Sequence, residues 1–275
     1  MSVSISATSA LVLNWTDPKI WQSPLTAEYM RELDLSEGQS LLERFSEVEN
    51  LMHTQTVSCR KFFVRKTVCN FLGQLQREGR SGQVVILAAG LAPMSVEIAS
   101  LFPSSAVFDV DLHNMDEKRK LLGDRLSNIA FGECDITDIG KLDAVLTGGG
   151  FRKGEPTIVV LEGILYYICP DALRNLASWL AENRATIIGE FGLKPELVNE
   201  ETRVHLLDVF AKIQGQVKMD GVTFYSDDAI IGLFRGAGFG SVTLHNFQPI
   251  QKERTGDVFP FTSPDSSWIK GFLAA

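Results

Sequence analysis

The sequence predicts an α/β protein in which a mostly parallel, Rossmann-like sheet carries helices on both faces. Short apolar runs rich in β-branched residues, such as Val84 to Ala89 and Thr157 to Leu161, are too short for buried helices and are typical of parallel strands. Segments with apolar residues at helical spacing lie between these runs. Glycine, proline and serine clusters separate the two kinds of segment. Alternating strands and helices of this kind indicate βαβ units.

The first βαβ unit extends from Gln83 to Asp111. Its opening strand ends at Gly90, and Pro93 occupies a position that the first turn of a helix tolerates because proline lacks an N–H. We expect a helix over 94–101 and a second strand over 106–111, which ends in acids.

The spacing within this unit predicts an adenosine-bearing ligand. Asp111 follows Gly90 by 21 residues, close to the distance at which an acid accepts hydrogen bonds from ribose hydroxyls. The dinucleotide pattern GxGxxG would require glycine at 88, 90 and 93, but the chain has Ala88, Gly90 and Pro93. A pyrophosphate needs the closer approach that those glycines allow, whereas S-adenosylmethionine has no phosphate. The pattern therefore favours S-adenosylmethionine over NAD.

Elements on either side of this unit complete the predicted organisation. Residues 1–80 are expected to form an N-terminal helical lid, with helices over 27–33 and 40–57 and an amphipathic stretch over 58–76. Residues 81–275 are expected to form the cofactor-binding domain, and the two parts make one structural unit. Further strands are predicted over 128–134, 157–161, 185–191 and 241–247, and further helices over 115–126, 138–146, 170–179, 195–213 and 226–236. The tail, 259–275, is predicted to add an edge strand or a short helix.

Four successive strands of the predicted sheet end in a glycine or an acid. These residues are Gly90, Asp111, Asp135 and Glu162. Because parallel strands place their carboxyl ends together, we expect the four to converge at one edge.

Composition excludes several classes of function. The net charge is −8 and the basic residues are scattered apart from a short cluster at 60–66, so a nucleic-acid partner is not expected. The four cysteines form no CxxC pair, and neither a disulfide framework nor a metal site is predicted. The chain shows neither a signal peptide nor a segment long enough to span a bilayer. We expect a cytoplasmic monomer or homodimer that acts on a small molecule.

Five segments together resemble the leucine carboxyl methyltransferase family of class I S-adenosylmethionine-dependent methyltransferases, over about residues 15 to 245. They are 60–65 (RKFFVR), 85–91 (VILAAGL), 107–111 (VFDVD), 134–136 (CDI) and 161–167 (LEGILYY). The resemblance implies the class I methyltransferase sheet, S-adenosylmethionine as cofactor, and membership of the branch of small-molecule O-methyltransferases in secondary metabolism.

The resemblance also implies roles for individual residues. Arg65 would hold the methionine carboxylate, since a guanidinium pairs bidentately with a carboxylate. The other cofactor-binding residues are Gly90 in the turn, Asp111 at the ribose, Asp135 and Ile136 at the adenine, and Glu162 near the methionine amine; Ala88 and Leu112 are also expected to bind the cofactor. The family usually has Gly-Ala-Gly, then leucine or methionine and Asp-Thr, where this chain has Ala88 to Pro93 without the acid.

The reaction predicted from these residues is methyl transfer to a carboxylate or an acidic hydroxyl. A less acidic hydroxyl would need a base, and the four histidines belong to no motif. Tyr166 and Tyr167 are predicted to be the catalytic residues, orienting the acceptor through ring faces and hydroxyls. Two alternatives remain open: cyclisation of S-adenosylmethionine itself to azetidine-2-carboxylate and methylthioadenosine, and a non-catalytic sensor of the cofactor.

Overall fold

The computed structural model describes residues 3–213, 222–259, 262–264 and 267–275. Its strands are β1 (Val3–Ser4), β2 (Leu33–Asp34), β3 (Gln83–Leu87), β4 (Ala106–Asp111), β5 (Ile129–Glu133), β6 (Thr157–Leu161), β7 (Thr186–Gly192), β8 (Val242–His245) and β9 (Ile269–Ala274). Its helices are α1 (Ala7–Asn14), α2 (Pro24–Arg31), α3 (Ser36–Leu42), α4 (Glu47–Arg77), α5 (Met94–Leu101), α6 (Met115–Leu122), α7 (Ile139–Gly148), α8 (Pro170–Glu182), α9 (Glu200–Ile213), α10 (Asp227–Gly236) and α11 (Phe247–Thr255).

Seven strands form one twisted sheet in the order β5-β4-β3-β6-β7-β9-β8. The first five are parallel, and β9 runs antiparallel to both of its neighbours. The prediction of a mostly parallel α/β sheet is confirmed.

Alternate residues of the central strands supply two separate hydrophobic cores. Val85 and Leu87 of β3 belong to the core under α7, α8 and α10. Val84 and Ile86 belong to the core under α4, α5 and α11. Because both faces are covered, the central strands consist mostly of apolar residues on both faces, and this near-continuous apolar character made them predictable.

The N-terminal region packs against one end of the sheet. α4 begins with a capping box, in which Ser46 and Glu49 bond each other's backbone N–H groups. Its middle turns pack on the sheet through Phe63, Val64 and Val68. α1 and α2 share a small core with Leu91, which lies in the loop after β3. α4 therefore links the N-terminal helices to the carboxyl ends of the strands.

Several predicted elements differ from the observed ones. β9 is a strand, but it lies inside the sheet and β8 forms the edge, so an edge position for the tail is wrong. The predicted helices over 40–57 and the stretch over 58–76 are instead α3 and the single long helix α4, separated by a break at 43–46. α1, α11 and the β1–β2 pair were not predicted, and the helix expected from Pro195 starts only at Glu200, after a 3₁₀ turn.

Among the residues that the structure describes, no helix combines the length and apolar character that crossing a bilayer requires.

Candidate active site

The candidate site lies at the carboxyl ends of β5, β4, β3 and β6. These four strands are consecutive neighbours and all parallel, so the loops that follow them emerge at the same edge. The structure therefore brings Gly90, Asp111, Asp135 and Glu162 to one edge of the sheet, as the sequence predicted.

The turn after β3 has an unusual backbone conformation. Ala88 and Gly90 have φ angles of 58° and 49°, in the left-handed region. Glycine adopts this region freely, but alanine pays a steric cost there. Other contacts must therefore stabilise the turn in this conformation. The hydroxyl of Tyr29 supplies one by donating to the carbonyl of Leu91 at 2.9 Å.

A buried ion pair supplies the other contacts. Lys118 and Asp109 are both fully buried, with Nζ of the lysine 2.6 Å from Oδ2 of the aspartate. The same ammonium donates to the carbonyls of Gly90 at 3.1 Å and Ala92 at 2.7 Å. Burial raises the pKa of Asp109, and Lys118 opposes that rise. A lysine of α6 thus holds the loop that follows β3.

Asp111 is held in a fixed orientation by backbone donors. Its Oδ2 accepts from the N–H of Gly90 at 2.8 Å, and its Oδ1 accepts from those of Leu112 at 2.7 Å and His113 at 3.3 Å. The residue remains partly exposed. A carboxylate has about four acceptor positions, so Oδ2 keeps capacity for another donor.

The predicted adenine-side residues have different environments. Asp135 is exposed, and its Oδ1 accepts from the backbone N–H and hydroxyl of Thr137 at 2.9 and 2.7 Å. Ile136 is buried at 7 % exposure, whereas Leu112 is 53 % exposed. Leu112 and Asp135 are accordingly accessible to a ligand at the edge.

Four buried charged side chains meet near the carboxyl ends of β6 and β7. Nε of Arg60 lies 3.0 Å from Oε1 of Glu162, and Nζ of Lys61 lies 2.7 Å from the same oxygen. Arg60 also approaches Oε1 of Glu190 at 3.5 Å. Burial works against the charge of Glu162, but Lys61 and Arg60 hold its pKa below the usual range. This charge cluster (Arg60, Lys61, Glu162 and Glu190) is neutral overall when every member is ionised.

Arg65 belongs to a separate buried ion pair, with Glu97 of α5. Its Nε donates to Oε1 of Glu97 at 2.7 Å, and both side chains are buried. The other Glu97 oxygen accepts from the Thr26 hydroxyl at 2.8 Å and the Ser23 N–H at 3.0 Å. The geometry gives Arg65 a role in joining α4 to α5, and Arg60 is the arginine that pairs with the strand-end acid.

Tyr166 and Tyr167 lie in the 3₁₀ turn after β6, next to the charge cluster. Tyr166 is buried and Tyr167 is 45 % exposed, with ring centroids 6.2 Å apart. The hydroxyl of Tyr166 is buried without a hydrogen-bond partner among the described residues. Tyr166 packs on Gly192 of β7, where an added Cβ would lie 2.6 Å from Cε1 of the ring.

Replacing Gly192 with alanine is expected to destabilise the protein. The new Cβ would meet Tyr166 at 2.6 Å and Phe224 at 2.8 Å, and overpacking of this kind costs about 1–3 kcal/mol. Urea unfolding measures the loss. The matched control is Gly232→Ala in α10, where a Cβ meets nothing within 4 Å and stability should hold or rise. Equal stability of the two variants would contradict the packing described.

Three charged residues of this site were not predicted from the sequence to be functional: Arg60, Lys61 and Glu190. Glu190 interrupts an apolar strand, and an acid in such a strand requires a buried partner, so the pattern itself was a signal. Arg60 and Lys61 carried no comparable signal, because cations on a long helix are usually solvated.

Two clefts elsewhere in the part of the chain that the structure describes lack acidic side chains. One of about 500 Å³ lies beside β5, and one of about 600 Å³ lies between α8 and α10. Neither is lined by an acid, so the site is assigned from its charged groups and not from cavity size.

Comparisons with known proteins agree with this architecture. The family model for leucine carboxyl methyltransferase matches residues 9–181. A proposed methyltransferase from Thermobifida fusca superposes with a TM-score of 0.62 at 12% identity, covering 94% of this chain and 97% of that one. A protein of the DUF574 family from Streptomyces avermitilis superposes with a TM-score of 0.59 at 15% identity, covering 98% and 97%. At these identities the two structures support the fold alone.

No curated protein matches the sequence. The family model nevertheless spans well over half of the chain, from α1 to α8, and includes both the turn after β3 and the charge cluster's residues on α4 and after β6. The chain therefore belongs to the leucine carboxyl methyltransferase family of S-adenosylmethionine-dependent methyltransferases.

Proposed function

We propose that the protein transfers the methyl group of S-adenosylmethionine to an oxygen of a small molecule, and that the carboxyl edge of the sheet binds this methyl donor. The observation that supports the proposal is that the oriented carboxylate of Asp111 and the charge cluster lie at the same edge of the sheet, at the ends of strands β4 and β6, which are separated by β3 alone. An adenosyl group joined to an amino-acid zwitterion needs both features.

The oriented carboxylate fits the adenosine half of the donor. Asp111 keeps acceptor capacity on Oδ2 for ribose hydroxyls, because only one N–H occupies that oxygen. Gly90 and Ala88 shape the turn beneath the ligand. Leu112, Asp135 and Ile136 would line the adenine.

The charge cluster fits the methionine half. The amino-acid part of the donor offers a carboxylate to Arg60 and Lys61 and an ammonium to Glu162, so this part adds no net charge to the buried cluster. We assign the carboxylate-binding role to Arg60 in place of Arg65, because Arg60 pairs with Glu162 at the strand ends, whereas Arg65 pairs with Glu97 of α5.

S-adenosylmethionine would supply an electrophilic methyl group at this edge. The acceptor that we propose is a carboxylate or an acidic hydroxyl of a secondary metabolite, oriented by Tyr166 and Tyr167. Both tyrosines follow β6 directly and so stand at the edge where the donor would bind.

We also propose that residues 1–80 act as a lid on the domain formed by 81–275. The contact of Tyr29 with the loop carbonyl of Leu91 supports this division. Amide hydrogen exchange in α1 and α2 should slow when S-adenosylmethionine is added, and unchanged exchange would count against the lid.

Incubation with S-adenosylmethionine tests the reaction. We expect no turnover with the donor alone, and S-adenosylhomocysteine together with a methylated product once carboxylate or phenol acceptors are added. Release of methylthioadenosine without an acceptor would instead indicate cyclisation to azetidine-2-carboxylate. Saturable binding without product from any acceptor would indicate a sensor.

A further inference from the structure

Glu190 has an unsatisfied carboxylate oxygen in the interior of the protein. The residue lies near the end of β7 and is fully buried. Its Oε1 accepts from the N–H of Gly163 at 2.6 Å and faces Arg60 at 3.5 Å. Its Oε2 is buried and has no hydrogen-bond partner among the described residues. Leaving a buried acceptor unpaired is costly, so a donor that arrives with a ligand would be favoured there.

The hydroxyl of Tyr166 is also buried without a hydrogen-bond partner among the described residues. Tyr166 lies on the same side of the sheet as Glu190. Glu190 and Gly192 are two residues apart in β7, so they face the same side, and the Tyr166 ring packs directly on Gly192. Burial raises the pKa of Tyr166 well above its usual value, and the charge of Glu190 adds to that rise. Tyr166 therefore remains a hydrogen-bond donor, while an ionised Glu190 can only accept.

Aromatic rings surround Tyr166. The rings of Phe210, Phe224 and Trp268 lie 6.3, 6.4 and 6.1 Å from the Tyr166 ring, centroid to centroid. All three rings are only partly buried. The exposed ring of Tyr167 also neighbours Tyr166, with the two ring centroids 6.2 Å apart. This aromatic cluster (Tyr166, Tyr167, Phe210, Phe224 and Trp268) offers ring faces against which a planar apolar molecule can stack.

We propose that the acceptor is an aromatic hydroxyl bound at the aromatic cluster, and that Glu190 is the general base that takes its proton. The inference rests on the proposed function and narrows its substrate class. One hydroxyl group would satisfy both orphan atoms, accepting from the Tyr166 hydroxyl and donating to Oε2 of Glu190. As the phenol oxygen bonds to the methyl carbon, the carbon–sulfur bond breaks and its electron pair stays on sulfur. The phenol proton passes to Glu190.

The electrostatics of the charge cluster suit this role. Burial raises the pKa of Glu190 to about 7, a rise that the positive charge of Arg60 opposes and that of Glu162 reinforces. Lys61 also faces the carboxyl group and lowers its pKa slightly, and the two tyrosines lie close by. A base is most effective when its pKa lies near the working pH.

The variant Glu190→Gln tests the base with substituted phenols of graded acidity and with benzoate. The amide keeps an oxygen that can accept from the Gly163 N–H, so the local fold should persist. We expect kcat to fall about 100-fold or more for weakly acidic phenols, as loss of a general base usually causes. The loss should shrink for phenols already ionised at the assay pH and vanish for benzoate. The control is Glu253→Gln, which alters only an exposed pair with Lys66.

A second readout requires no turnover. A carboxyl group whose pKa is raised in the folded state binds more protons there than in the unfolded chain, so it stabilises the fold at pH 5 and loses that contribution as pH rises through about 7. The Tm of Glu190→Gln relative to wild type should therefore be higher at pH 8 than at pH 5. Glu253→Gln, which removes only an exposed pair, should change the Tm little at either pH.

The outcomes separate this inference from the proposed function. Equal kcat in Glu190→Gln and wild type, or an equal loss with every phenol and benzoate, would overturn the role of Glu190. A pH-independent Tm difference would overturn it too. Methylation of benzoate but of no phenol would overturn the substrate class and leave the proposed function standing. Failure to bind S-adenosylmethionine at all would overturn the proposed function.

Discussion

The Asp111→Ala variant is expected to bind S-adenosylmethionine about 100-fold more weakly than wild type. Hydrogen bonds to a charged group contribute about 1.5–3 kcal/mol each, and a tenfold change in affinity corresponds to about 1.4 kcal/mol. Asp111 would accept from ribose hydroxyls, and it also bonds the N–H of Gly90. The substitution therefore removes a ligand contact and loosens the turn beneath the ligand. Isothermal titration calorimetry measures the change.

Asp116→Ala is the matched control for Asp111→Ala. It removes the same charge from the exposed first turn of α6, where Asp116 pairs only with Arg119. Affinity should remain within about threefold of wild type, because exposed pairs contribute little. An Asp111→Ala variant that keeps its Tm and binds as tightly as the control would contradict the assignment of the ribose site.

Lys118→Met is expected to lower the free energy of unfolding by about 3–5 kcal/mol at pH 7. Breaking a buried ion pair leaves the remaining charge uncompensated, and losses of this size are typical. Here the methionine would leave Asp109 without its cation and the carbonyls of Gly90 and Ala92 without a donor. Urea unfolding measures the loss through the midpoint, provided that the m value is unchanged.

The free energy of unfolding lost in Lys118→Met should be smaller at acidic pH. Burial already raises the pKa of Asp109, and removing Lys118 removes the charge that opposes the rise. The folded variant then binds a proton that the unfolded chain releases, so its stability relative to wild type improves as pH falls toward 4. Lys141→Met, which makes the same substitution in an exposed pair with Asp138, should cost less than about 0.5 kcal/mol. A loss below 1 kcal/mol in Lys118→Met would contradict a structural role for the buried pair.

The sequence was most informative where burial on both faces made a strand apolar throughout. The predicted strand over 157–161 coincides with β6, and the strand ends at Gly90 and Asp111 are adjacent as expected. These features depend on local pattern and on the rule that parallel strands end together. The order of the last strands could not be predicted in this way, because local pattern does not distinguish an edge strand from β9, which lies between β7 and β8.

The candidate site was predictable only in part, because local sequence pattern places residues at strand ends but does not show which distant side chains pair with them. Asp111 and Glu162 follow strands, so their position at the edge comes from the fold. Arg60 and Arg65 lie five residues apart on α4, and spacing alone does not decide which of them meets a strand-end acid. The structure pairs Arg60 with Glu162 and Arg65 with Glu97. Long-range ion pairs of this kind require the packing of α4 on the sheet, which no local signal specifies.

Calorimetric titration of the 275-residue chain with S-adenosylmethionine and, separately, with NAD tests the central claim most directly. The account predicts saturable binding of S-adenosylmethionine at one site per chain and no heat from NAD, because the turn from Ala88 to Pro93 lacks two of the three glycines that a pyrophosphate requires. Absence of heat with S-adenosylmethionine, or equal binding of NAD, would contradict it.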